Sequence, residues 1–187
     1  MFRTKRLTEK EKAFIPYTAN QILIFESNKS KTDTITITEI SLTKHPPNLG
    51  DMFWAKNTEV LRVQTDVNCK NCDEIMYLGT ENFSFDTNIS WTIRLNEKNY
   101  TFGTNQKSID KIEKIKSTVN GIEYDDVLVL ERAKQFERPK DNISKMFYKG
   151  IYPIDKLYWS KSNGIIKFEI IETNEIWKIK NALQHSI

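Results

Sequence analysis

The stretch Lys156–Ile179, KLYWSKSNGIIKFEIIETNEIWKI, constrains the fold more than any other part of this chain. Asn163-Gly164 is the dipeptide that a two-residue type I′ hairpin selects, because both central residues of that turn need positive φ. A turn there predicts a register in which Ser162 faces Ile165, Trp159 faces Phe168 and Leu157 faces Ile170. Side chains alternate across a strand, so Leu157, Trp159, Ile166, Phe168 and Ile170 share one face, and Tyr158, Ser160, Lys167 and Glu169 share the other. A second turn within Glu172-Thr173-Asn174-Glu175 sets Ile171 against Ile176, Trp177 against Ile170, Ile179 against Phe168 and Lys178 against Glu169. Both turns make the same face apolar. The predicted structural core is therefore Leu157, Trp159, Phe168, Ile170, Trp177 and Ile179, with Tyr158, Lys167, Glu169 and Lys178 facing outward. The aromatics of that face stabilise by about 2–3 kcal/mol each when fully buried. Their bulk predicts a filled interior.

The rest of the chain reads as strands that continue this sheet. Its 187 residues suffice for one domain with a sizeable core, and no internal boundary divides 1–187. Thr8-Glu9-Lys10-Glu11 has the form of a capping box and predicts a short helix to about Ile15, ended by Pro16 and docked by Phe14. Residues 1–17 are thus a linker plus a short helix. Strand signals follow at Gln21–Ser27, at Thr32–Thr43 with a change of phase at Glu39 that predicts a bulge, and at Glu59–Val67, Glu74–Leu78 and Ile89–Leu95. After a turn at Asn96–Asn99 come Tyr100 and Phe102. Asn120-Gly121 is a second hairpin dipeptide, joining a strand in the second half of Ser108–Val119 to Tyr124–Arg132. The charged segment from Glu131 to Lys145, with Pro139, reads as a loop or helical turn. About ten short strands with turns between them predict a mainly β fold. Its expected form is an antiparallel curved sheet making a barrel or half-barrel, lipocalin-like or lipoprotein-carrier-like, with a sandwich as the other arrangement.

Candidate chemistry is sparse. Cys69-Lys70-Asn71-Cys72 reads first as a disulfide across a tight loop in an oxidising compartment, next as two free thiols, and last as half of a zinc site shared between chains. Asp125 and Asp126 point to opposite faces of a strand, so they cannot act together on one substrate and read as a solvated pair beside a turn. The two histidines, His45 before Pro46-Pro47 and His185 in the tail, leave little to serve as a general base. There is no Gly-rich phosphate loop. No catalytic residue, metal ligand or cofactor is expected, and an enzyme is disfavoured. Lys+Arg 28 against Asp+Glu 25 leaves only +3. The basic runs Arg3–Lys12 and Lys107–Lys116 lack the stacking aromatics of a single-strand binder, so no nucleic-acid partner is expected. No run of apolar residues is long enough to span a membrane, and the basic, polar start resembles the residues just after a removed signal or a lipidation site.

Tyr158-Trp159-Ser160-Lys161, then Gly164-Ile165-Ile166-Lys167-Phe168-Glu169, then Trp177, resemble the closing strands of small bacterial cell-envelope lipoproteins of unassigned function. Phe14-Ile15-Pro16-Tyr17 leading into Ile22-Leu23-Ile24-Phe25 is similar to the opening of such domains. The resemblance implies a periplasmic or surface location, with membrane association only if the chain is lipidated. On that footing the expected function is a non-catalytic protein-interaction or structural module with an unidentified protein partner. The other expectation is a carrier of a small hydrophobic ligand such as a lipid.

Overall fold

The structure is a computed structural model, and it describes residues 6–45, 58–65, 74–80, 87–105, 109–132 and 151–183. One short helix, α1 (Glu9–Lys12), precedes twelve strands among these residues. They are β1 (Ile22–Ser27), β2 (Thr32–His45), β3 (Thr58–Thr65), β4 (Glu74–Thr80), β5 (Thr87–Leu95), β6 (Lys98–Asn105), β7 (Ile115–Val119), β8 (Ile122–Glu131), β9 (Ile151–Pro153), β10 (Lys156–Ser160), β11 (Gly164–Ile170) and β12 (Glu175–Leu183). They pair in the order β7-β8-β10-β11-β12-β1-β2-β3-β4-β5-β6-β9. All pairs are antiparallel except β6 with β9, which is parallel. Among the described residues the ladder ends at β7 and β9, so hydrogen bonds do not close it into a barrel.

The sheet nevertheless folds onto itself. Trp91 on β5 lies 5.3 Å from Trp159 on β10, and Tyr100 on β6 lies 5.5 Å from Phe168 on β11. These strands are far apart in the pairing order, so only strong curvature brings their rings together. Curvature comes from bulges, which bend a strand and raise its twist. Register shifts fall between Ile37 and Glu39, where the sequence changes phase, and also between Ile24 and Phe25 and between Val63 and Gln64. The last strand of the order is tied covalently to the opposite half, since only Ile154 and Asp155 separate β9 from β10, the third strand from the other end.

One buried cluster fills the space between the two halves. Leu157, Trp159, Phe168 and Trp177 are wholly buried there, with Ile170 and Ile179 at the same interface. The N-terminal segment closes one end. Its capping box forms, with the Glu11 N–H donating to the Thr8 hydroxyl and the Thr8 N–H to the Glu11 carboxylate. The helix stops at Lys12, short of the expected Ile15. Leu7, Phe14 and Tyr17 are buried in the cluster. The segment runs from β3, where the Leu7 N–H donates to Glu59 Oε2 at 2.9 Å, to β11, where the Ile165 N–H donates to the Tyr17 hydroxyl at 3.0 Å.

The predicted hairpin registers require correction. Asn120 and Gly121 have φ of 50° and 80°, and they form the two-residue turn their sequence predicts. Asn163 does not take positive φ; only Gly164 does, at 79°. Ser160 therefore pairs with Gly164 across a three-residue loop, Trp159 with Ile165 and Leu157 with Phe168. The physical reason is nonlocal. Asp126 on β8 accepts from the Ser160 hydroxyl at 2.7 Å and from the Ser162 hydroxyl at 2.6 Å, while Tyr17 takes the Ile165 N–H. In the next hairpin Phe168 pairs with Trp177 and Ile170 with Glu175, two residues away from the predicted register. A slip of two preserves the face, so the same side chains still point inward.

Candidate functional site

β11 runs from Gly164, beneath Tyr17, to Ile170 at the other end of the sheet, where several turns meet. Tight geometry marks these turns, with positive φ at Ser30, Asn96, Glu97 and Asn174. They are tied to one another. Asn28 donates through Nδ2 to the Asn174 carbonyl at 3.1 Å and accepts at Oδ1 from the Ile176 N–H at 3.0 Å. Lys29 Nζ donates to the Thr173 carbonyl at 2.7 Å. Asp33 accepts from the Asn96 N–H at 2.6 Å, which links the β1–β2 and β5–β6 turns.

Asp155 is the corner brace of this rim. One carboxylate oxygen accepts from Arg132 Nη2 at 2.7 Å and the other from the Ile171 N–H at 2.7 Å. Its backbone carbonyl accepts from the Arg132 N–H, and its own N–H donates to Glu169. A two-residue linker thereby holds the ends of β8, β9 and β11 together. On this frame Ile171 is 72% exposed, more than any other large apolar side chain among the described residues.

Beneath the rim lies Glu175, whose side chain is 0% exposed. The Tyr100 hydroxyl donates to its Oε2 at 3.2 Å, and Lys98 Nζ stands 3.6 Å from the same oxygen. Lys31 Nζ is 4.0 Å from Oε1, which has no hydrogen-bond partner. Every contact is longer than a good charge-assisted bond. Burial pushes the Tyr100 phenol well above its ordinary range, and the Glu175 charge pushes it the same way. The Trp177 indole favours the Tyr100 phenolate electrostatically, although its N–H falls outside hydrogen-bond geometry. A neutral phenol donating to a buried carboxylate, with two lysines beside it, is an electrostatic anchor between the facing halves.

The outward face of the β10–β11 hairpin carries a second cluster. Lys167 Nζ meets Glu169 Oε1 at 2.6 Å and lies 4.3 Å from the Tyr158 ring centre, and the Tyr158 hydroxyl donates to Glu169 at 3.0 Å. Burial lowers the Lys167 pKa, but the Glu169 bond outweighs it and the pKa is raised overall. Asp126 is no solvated turn residue, as the sequence suggested. Burial opposes its charge, yet the bonds from Ser162 and Ser160 win and hold the carboxyl below its usual value. Asp125 beside it is exposed.

Cys69, Cys72 and His185 lie outside the described residues, and so does most of the Glu131 to Lys145 segment. Of the basic runs, Lys10 pairs with Asp110 and Lys12 with Glu9, while Lys111, Lys114 and Lys116 are exposed. Among the described residues no three His, Cys, Asp or Glu side chains gather as metal ligands. Ile171, Asp155 and Glu175 were not singled out from the sequence. Glu175 had a usable signal, since it shares the parity of Trp177 and Ile179 and so faces inward once β12 begins there. Asp155 had none, because its three partners, Arg132, Glu169 and Ile171, lie 14 to 23 residues away in sequence.

Fold and site together define a class: a mainly β, antiparallel protein curled on an aromatic core, with a braced rim at one end. The chain matches no family model, no curated protein and no solved structure.

Proposed function

We propose that this chain is a cell-envelope β domain, curved as a half-barrel, that acts without catalysis by binding a protein partner through its braced rim. The observation that carries this reading is Ile171, a large apolar side chain 72% exposed on a turn fixed by Asp155, Asn28 and Lys29. Binding energy at interfaces concentrates in a few apolar or aromatic anchors, and an anchor already held in place loses little conformational freedom on docking. Lys29 and Lys31 nearby give the anchor a polar surround. The envelope location is supported by the resemblance of Tyr158–Glu169 and Trp177 to envelope lipoproteins. No helix among the described residues is long and apolar enough to cross a membrane.

Substituting Ile171→Asp tests the reading. The expected result is unchanged folding by circular dichroism and loss of the partner that co-purifies with the wild-type chain from its native host. Retention of that partner by the folded variant would remove the rim as the binding surface. A second reading, a carrier of a small hydrophobic ligand such as a lipid, is favoured by one specific observation. Three buried tryptophans, Trp91, Trp159 and Trp177, have indole N–H groups with no hydrogen-bond partner among the described residues.

A further inference from the structure

Residues 7–17 hold to the sheet without joining it. No strand precedes Ile22, and among the described residues the backbone-to-backbone hydrogen bonds of this segment are internal: Lys12, Ala13, Phe14 and Ile15 donate to Thr8, Glu9, Glu11 and Lys12. Each grip on the rest of the chain involves a side chain. The Leu7 N–H reaches the Glu59 carboxylate on β3, and Lys10 pairs with Asp110 at 3.0 Å. Lys161 Nζ lies 5.5 Å from the Phe14 ring centre, and the Tyr17 hydroxyl takes the Ile165 N–H on β11. Lifting the segment therefore breaks no ladder bond. The chain is tied to β2 from Asn20 onward, where the Asn20 N–H donates to the Ile37 carbonyl at 2.7 Å and the Ile37 N–H to the Gln21 carbonyl at 2.8 Å. Thr18 and Ala19 are left between strap and sheet as a hinge.

Tyr17 sits where the sheet is split. β11 and β12 pair from Ile170 with Glu175 to Lys167 with Lys178, although β11 begins at Gly164 and β12 continues to Leu183. Beyond the last pair, side chains from other elements take backbone groups on either side of the split. Tyr17 takes the Ile165 N–H at 3.0 Å, and Asn120 Nδ2 donates to the Ile179 carbonyl at 3.0 Å. A buried N–H needs a partner, and the segment supplies it. Gly164 makes room for the Tyr17 ring, which a Cβ there would overlap, and Trp159 meets that ring edge-on at 5.9 Å.

We propose that residues 7–17 are a strap that leaves and re-enters its groove as one unit, opening the seam between β11 and β12 while the ladder stays paired. Leu7, Phe14 and Tyr17 are its anchors, and all three are buried, so the lifted state is rare and forfeits their apolar contacts together. Opening uncovers Trp159 and leaves the Ile165 N–H without its acceptor. Units that open below the level of global unfolding are those sharing few hydrogen bonds with the rest of a structure.

Amide hydrogen exchange of the full chain, read residue by residue by NMR over a series of sub-denaturing urea concentrations, tests the strap. The Leu7 and Ile165 amides lie at its two ends. They are expected to share one opening constant and one urea dependence, and both to exchange faster than the amides of the β1–β2 and β11–β12 ladders. Leu7→Ala, made at one end, is expected to speed the Ile165 amide at the other by roughly thirtyfold or more, the value of truncating a buried leucine. An unchanged Ile165 rate would show that the ends open separately and overturn the strap. Exchange of Leu7 and Ile165 that coincides with the ladder amides in rate and urea dependence would overturn it as well, since opening would then be global. Gly164→Ala drives Tyr17 out, and is expected to leave residues 7–17 unprotected on a ladder that remains protected. Loss of ladder protection in that variant, while it stays folded, would contradict independent opening. Should either variant not fold, the wild-type rates still decide.

Discussion

Gly164 is where the N-terminal segment and the β10–β11 hairpin interlock, and replacing it with alanine is the sharpest test of that interlock. Two penalties apply. At φ 79° a residue with a Cβ sits in the left-handed region, costing about 1–2 kcal/mol. A Cβ there would also overlap the hydroxyl and ring of Tyr17, which is buried and cannot stay. Moving Tyr17 removes the acceptor of the Ile165 N–H, about 1–3 kcal/mol, and its edge contact with Trp159 at 5.9 Å, about 0.5–1.5 kcal/mol. Gly164→Ala is therefore expected to destabilise by about 3–6 kcal/mol, a large share of a domain's total. In a Tyr17→Ala background the second penalty is already spent, so the same substitution should cost only about 1–2 kcal/mol. Urea unfolding of the four chains in this double-mutant cycle gives the coupling directly. A coupling below about 0.5 kcal/mol would refute the interlock, since independent sites add to within that margin.

Tyr17 and Tyr100 both hold phenols raised above their ordinary range, first by burial. Above about pH 10 the unfolded chain loses those protons while the folded chain keeps them, so stability should fall as pH rises, by up to about 1.4 kcal/mol per unit for each tyrosine. Tyr17→Phe should flatten that slope in alkaline urea titrations, and an unchanged slope would contradict it. Asp126→Ala strips the buried Ser160 hydroxyl and the Ser162 hydroxyl and N–H of their acceptor, for an expected loss of about 2–3 kcal/mol at neutral pH. Because the Asp126 pKa is lowered, that contribution is present at neutral pH and fades as pH falls through it, so wild type and variant should converge in acid. At Glu175 the contacts are long, and Glu175→Leu should change stability by no more than about 1 kcal/mol. Lys98→Met leaves the buried carboxylate less compensated and should cost more, about 2 kcal/mol; the reverse order in thermal melts would show Glu175 to be the stabilising partner.

The face of each strand near the C-terminus was legible in the sequence because alternation survives a slip of two, and at Trp159, which pairs three residues away from its predicted partner, the bulge after Tyr158 restores the face. Leu157, Trp159, Phe168, Ile170, Trp177 and Ile179 all lie inside, although their cross-strand partners differ from those the turn dipeptides predict. Register was less legible, since it depends on what surrounds the turn. Asn120-Gly121 projects to the sheet's edge and obeys local preference, but Asn163-Gly164 is gripped by Asp126 and Tyr17 from elsewhere in the chain. The bulge after Ile37 could be read from a broken alternation. β9 could not, because three residues ending in proline carry no strand signal, and its parallel pairing follows from the corner at Asp155. The rim was invisible for the same reason: its bonds join turns that lie about 60 to 150 residues apart in sequence. Ile171 looked like a strand residue paired with Ile176, and only the four-residue loop between Ile170 and Glu175 leaves it outside.

The most direct measurement is site-specific photo-crosslinking in the native host, with the crosslinker placed in turn at Ile171, Leu42 and Ile122, three exposed apolar positions. If the rim is the binding surface, position 171 captures one discrete protein species at high yield, and positions 42 and 122 do not. Equal capture from all three positions, or capture from 42 or 122 alone, would contradict the rim as the binding surface.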